Sequence, residues 1–176
     1  DLLARRRGEE NRQAIDRLGE EAQELVRDQQ QVAETVRRFP GPESDKRAEA
    51  FGRAMEQKSK VFEGLNDLER QLHEAARQLA ATQPEVSRKL RGAGNRIREE
   101  ELQEKVRQGA EMLRRGLNQL AQQREEGLRR ALEQLEQQIG EARRNFNAQA
   151  GGQNPADSRM ERALARAEDL RRRLEE

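Results

Sequence analysis

The chain has 176 residues, of which 32% are hydrophobic and 39% charged, with 35 basic and 34 acidic side chains giving a formal net charge of +1. So little apolar material does not fill a wide globular core, which usually draws on roughly 45–50% apolar residues; it does suffice for thin seams between long helices. The balanced charge predicts no long-range pull toward DNA, RNA or anionic lipid, and the absence of Cys excludes disulfides, thiolate metal sites and thiol catalysis. No apolar run approaches the ~18–20 residues of a membrane span, and no signal peptide is recognisable. The sequence starts at Asp1 without Met and stops at Glu176 inside a helical pattern, which reads as a segment of a longer protein.

Taken in chain order, the first segment carries a heptad. Ile15, Leu18, Ala22, Leu25, Gln29, Val32, Val36 and Phe39 are spaced alternately three and four apart, and Gln29 is the one polar member. FPGPES at 39–44 is the strongest turn signal, with Ser44 placed to cap the next helix. The second segment repeats the spacing from Phe51 through Ala54, Lys58, Val61, Leu65, Leu68, Leu72, Ala75 and Leu79, again with one polar member, Lys58. Two such helices joined by a Pro-Gly turn predict an antiparallel hairpin. Folding about residues 41–45 brings Gln29 within about a turn of Lys58. In a thin seam Lys58 is expected to snorkel its amine to water; the alternative is a polar layer that fixes register.

TQP at 82–84 marks the next boundary, with Thr82 as candidate cap and Pro84 near a helix start. A short helix over 84–98 follows, and the two glycines in residues 91–101 predict a bend, loop or frayed turn near Gly92 and Gly94. From Leu102 an eleven-residue unit recurs. Its first position holds Leu102, Leu113, Arg124, Leu135 and Phe146, and its fifth holds Val106, Leu117, Leu128 and Ile139. Its eighth holds Gly109, Leu120, Ala131 and Ala142. That period predicts one nearly straight helix over about 99–149. Within it Gly109 lies on the apolar stripe, where it would let a neighbour approach closely. Gly116, Gly127 and Gly140 flank the stripe and read as tolerated substitutions. Arg124 occupies a core-type position, where it must snorkel, pair with a carboxylate of another helix, or meet an outside partner. GGQNPADS at 151–158 links to a short last helix with Met160, Leu164, Ala167, Leu170 and Leu174 on one stripe.

The expected fold is all-α: an elongated antiparallel bundle over residues 1–149, with helices near 1–39, 44–82, 84–98 and 99–149, then a linker and terminal helix over 150–176. Chemistry is not evident. His73, in HEAAR, lacks the second His of a metal-binding helix, and the serines at 44, 59, 87 and 158 have no base beside them. RGAGNR at 91–96 has neither the strand nor the Lys-Ser/Thr ending of a phosphate loop. No enzyme, cofactor or metal is expected. RRR at 5–7 and 171–173 keeps an Arg-rich nucleic-acid-binding rod open as an alternative, but interleaved Glu and the lack of Tyr and Trp argue against it. The positions singled out for interaction or register are Gln29, Lys58, Gly109 and Arg124.

Residues 64–116, through LHEAARQLAATQ at 72–83, SRKLRGAGN at 87–95 and EMLRRG at 111–116, resemble the helical region of a bacterial, membrane-anchored, Gln/Arg-rich family of unknown function. The resemblance implies a place in the cell envelope, outside the cytoplasm, an anchor in a flanking segment, and a scaffolding or protein-interaction role. It carries no catalytic residues. The partners expected are other helices or proteins, including a second copy of the chain.

Overall fold

The structure is a computed structural model, and it describes residues 1–151 and Arg166. The helix expected from about 156 lies outside the described residues. Five helices follow in order: α1 (Leu2–Arg37), α2 (Arg47–Leu79), α3 (Pro84–Glu99), α4 (Leu102–Arg114) and α5 (Asn118–Gly151). There is no strand among the described residues, and the all-α class holds.

The helices form four antiparallel rods, because α3 and α4 run the same way along α2. Ser87 of α3 donates to the Ala76 carbonyl at 2.5 Å, Arg98 meets Glu69 at 3.0 Å, and Arg47 of α2 reaches the Leu113 carbonyl of α4. The α5 rod returns beside α1, with Arg143 paired to Asp16 at one end and Gln29 touching Glu125 near the other. Contacts join α1 to α2 and α5, and both of those to α3 and α4, so α2 and α5 face each other diagonally across the bundle.

The two heptads expected in α1 and α2 are the buried stripes. Ile15, Leu18, Ala22, Leu25, Gln29, Val32 and Val36 are buried in α1, as are Ala54, Lys58, Val61, Leu65, Leu68, Leu72, Ala75 and Leu79 in α2. Phe39 and Phe51 pack half-buried at their ends.

The third segment differs from the sequence expectation in three respects. The chain does not bend at Gly92 and Gly94. Both lie inside α3, where Gly94 seats His73 so closely that a Cβ there would stand 2.9 Å from its Nε2. The break comes instead at Glu100 and Glu101, the latter left-handed at φ 52°. Its effect is to re-phase the apolar stripe: Val86, Leu90, Ala93 and Ile97 precede it, and Leu102, Val106, Gly109 and Leu113 follow with the same 4-3-4 spacing.

The long helix over 99–149 is also two helices. Gly116 (φ 75°) ends α4: its N–H bonds the Leu113 carbonyl at 3.1 Å and the Leu117 N–H bonds the Met112 carbonyl at 2.9 Å. That pair of bonds is a Schellman motif, and its left-handed residue favours Gly. Gly116 is therefore a helix stop rather than a tolerated substitution, and α4 and α5 fold back on each other.

Helix starts shift slightly from the expected caps. Ser44 accepts a hydrogen bond from the Lys46 N–H at 3.2 Å in the turn, and α2 begins at Arg47. Pro84 opens α3, with Gln83 and not Thr82 at the capping position.

Candidate functional site: a buried polar layer

Once α4 and α5 are a hairpin, the eleven-residue stripe no longer describes what is buried. In α5 the buried positions are Ala121, Glu125, Leu128, Leu132, Leu135, Ile139, Ala142 and Phe146, with Ala131 flanking them. Their spacing is again four and three: α5 is a heptad helix, and its one polar member is Glu125. Leu117 and Leu120, assigned to the stripe by the longer period, are 43% and 49% exposed. Arg124 is only half-buried and does not hold a core slot; the next residue does.

Three of the four positions singled out in the sequence therefore meet at one level, around a residue the sequence reading passed over. Lys58 Nζ donates to Glu125 Oε1. The Gln29 side-chain amide donates to Glu125 Oε2 at 2.7 Å and to the Glu125 backbone carbonyl at 3.1 Å. Gln29 and Glu125 are 0% exposed and Lys58 3%, so Lys58 does not snorkel. Gly109, from the fourth rod, supplies no side chain, and a Cβ there would collide with Glu125 Oε1 and lie 2.7 Å from Lys58 Nζ. Its absent side chain is the space through which Lys58 and Glu125 cross the bundle on the diagonal.

The electrostatics follow from this enclosure. Burial lowers the pKa of Lys58 from its ordinary value, and the facing Glu125 carboxylate partly offsets the shift. Isolated buried charges are strongly unfavourable, and such a pair is tolerated only when the remaining hydrogen-bonding capacity is met. That requirement is met in part. Glu125 receives both Gln29 and Lys58, whereas Gln29 Oε1 is buried without a hydrogen-bond partner among the described residues.

The layer also distinguishes the four rods from one another. A bundle built from two copies of the α1–α2 hairpin would place two lysines at this level without an acid, and one built from two α4–α5 hairpins would place two glutamates there. Only the heterotypic pairing of the two hairpins brings opposite charges together.

Outside the layer, most ion pairs are local to one helix, with Arg98–Glu69, Arg143–Asp16 and Lys89–Glu141 running between helices. Arg129 bridges Glu126 and Glu133, and Arg114 and Arg115 both pair with Glu111, at helical spacings of three and four. His73 sits in an open groove on α2 with Glu69, Arg70 and Arg98, and among the described residues no group of His and acids is arranged to hold a metal ion.

No protein-family model, curated protein or solved structure matches the chain. The resemblance of residues 64–116 thus rests on its quoted motifs, and a helix-rich architecture is the property the structure shares with it. No helix among the described residues is long and apolar enough to cross a membrane.

Proposed function

We propose that the chain is a structural or protein–protein interaction module, a helical scaffold or spacer segment of a larger bacterial cell-envelope protein, with no catalysis of its own. The observation that supports it is the fate of the convergent ionisable groups. Lys58 and Glu125 are sealed between four rods and directed at each other, where a substrate does not reach them. The outer faces carry Arg–Glu pairs within single helices, which suit a solvated surface. The envelope location and a flanking anchor rest on the resemblance of residues 64–116.

The nucleic-acid-binding rod is the competing reading, and one experiment separates the two. Anisotropy titrations of the full chain against single- and double-stranded DNA and RNA, over a salt series, are expected to show no saturable binding at physiological salt. Saturable binding that weakens steeply with salt would overturn the module reading in favour of the rod. Light scattering on the same samples distinguishes a monomeric bundle from a homo-oligomer.

A further inference from the structure

The polar layer divides the bundle into two unequal parts. Toward the α2–α3 turn the core is built from large side chains such as Leu65, Leu68, Leu72, Leu132, Leu135 and Ile139. Toward the other end, where the chain turns at 38–46 and 115–117, the fully buried apolar residues beyond the layer are Val32, Val36, Ala54, Leu113 and Ala121. Two are alanines and two are valines, so little apolar area holds the rods together there. The larger side chains at that end, Phe39, Phe51, Met55 and Met112, are only partly buried.

The covalent connections have a related asymmetry. Each hairpin, α1–α2 and α4–α5, is closed by its own loop at the thin end, while the two are joined to each other through the 80–83 turn at the opposite end. Ion pairs from the α1–α2 hairpin to α3 and α5, Arg98–Glu69 and Arg143–Asp16, also lie on the leucine-rich side of the layer. Beyond the layer, among the described residues, two arginines link the hairpins: the Arg114 guanidinium of α4 lies 6.0 Å from the centre of the Phe51 ring of α2, and the one hydrogen bond is made by Arg47. Its Nη2 donates to the Leu113 carbonyl at 3.3 Å, its guanidinium lies 5.3 Å from the centre of the Phe39 ring, and it packs on Gly116. Among the described residues Arg47 Nη1 is buried with no acceptor, so the clasp is made with one hydrogen bond where the group offers more.

We propose that the molecule is a two-jawed clamp: the α1–α2 and α4–α5 hairpins part as units at the loop end, Arg47 is the clasp that holds them shut, and the Gln29–Lys58–Glu125 layer is the floor at which opening stops. Opening to that depth separates Val32, Val36 and Ala54 from Leu113 and Ala121 while leaving the leucine-rich half packed, and the helix ends freed of that packing fray and expose their amides to exchange. Local opening of this kind is set by buried apolar area, and the thin end is the part with least of it. The inner faces it uncovers adjoin Leu117 and Leu120, which already stand exposed.

Native-state hydrogen exchange on the full chain tests the clamp, with Arg47→Ala as the perturbation and Arg53→Ala, an exposed α2 arginine that among the described residues pairs only within its helix, as the control. In the parent protein, amides of 32–36, 51–57 and 110–114 are expected to exchange faster than those of 65–75, 86–97 and 132–142. Arg47→Ala is expected to speed the first set by about tenfold and to leave the second within about twofold, whereas Arg53→Ala changes neither set. Equal protection of the two sets in the parent overturns the proposal. So does an Arg47→Ala effect that is absent, spread evenly over both sets, or matched by Arg53→Ala.

Discussion

The two ends of this bundle follow the same heptad rule and differ in what occupies it. On the turn side of the polar layer Leu and Ile make up more than half of the buried apolar positions, with Ala and Val between them; on the loop side Leu113 is the one Leu and the rest are Val and Ala. Apolar burial contributes about 25 cal/mol per Å², so side-chain size alone makes the turn side the stable platform and the loop side the part held by specific contacts. Periodicity sets where the rods lie, and residue volume sets how firmly each stretch is held. A chain with only 32% hydrophobic residues keeps four rods together by concentrating the large ones on one side.

The largest effect that breaks this comparison is a charge placed in the platform. Leu128→Asp buries a carboxylate with no partner beside the layer, and we expect a loss of more than about 4 kcal/mol, read as collapse of the helical circular-dichroism signal on heating. A melting curve superimposable on the parent's would show that Leu128 is not packed as described. Truncation then grades the two sides. Leu68→Ala is expected to lose about 3 kcal/mol in urea titrations, within the range for buried leucines. Val36→Ala should lose roughly 1.5 kcal/mol, two methyl groups at about 0.8 each. Equal losses would remove the distinction between platform and loop end.

Smaller again is the loop itself. Gly116→Ala places a Cβ on a residue at φ 75° and is expected to lose about 1 kcal/mol. Gly127→Ala, with open space around it, should instead gain stability. The smallest effect is a pH dependence. Lys58 gives up its proton more readily folded than unfolded, so below pH 10.5 the unfolded chain binds more protons. Its contribution to stability is therefore least below its lowered folded-state value and rises with pH from there up to 10.5. Urea midpoints of the parent and of Lys58→Met, compared at pH 7 and 9.5, are expected to show this rise in the parent alone.

Much of the fold was legible in the sequence, and the misreadings have physical causes. The α1 and α2 heptads needed no structure, because each runs unbroken and ends at a proline-bearing turn. The second half was misread because Leu113, Leu128, Leu135, Ile139 and Phe146 fit an eleven-residue period as well as a heptad. The signal that separates the two periods is local: in RRGL at 114–117 the Gly is followed by an apolar residue, which is how a Schellman stop is spelled. With a stop there, counting back from Leu128 by threes and fours lands on Glu125 and Ala121, and Arg124 drops out of the core. Of the layer, Gln29, Lys58 and Gly109 were visible as exceptions on apolar stripes. Their meeting was not, because it depends on a diagonal crossing that spacing along one chain does not encode. The break at Glu101 carries no glycine or proline, and a left-handed glutamate is not announced by local sequence.

The central claim is that Lys58 and Glu125 hold each other inside the bundle, and thermal denaturation of Lys58→Met, Glu125→Leu and the double variant tests it most directly. Each single change leaves a buried charge without its partner and is expected to cost about 3–5 kcal/mol, whereas the double variant should melt at or above the parent temperature. Single variants that melt with the parent, or losses that simply add in the double variant, would contradict the account.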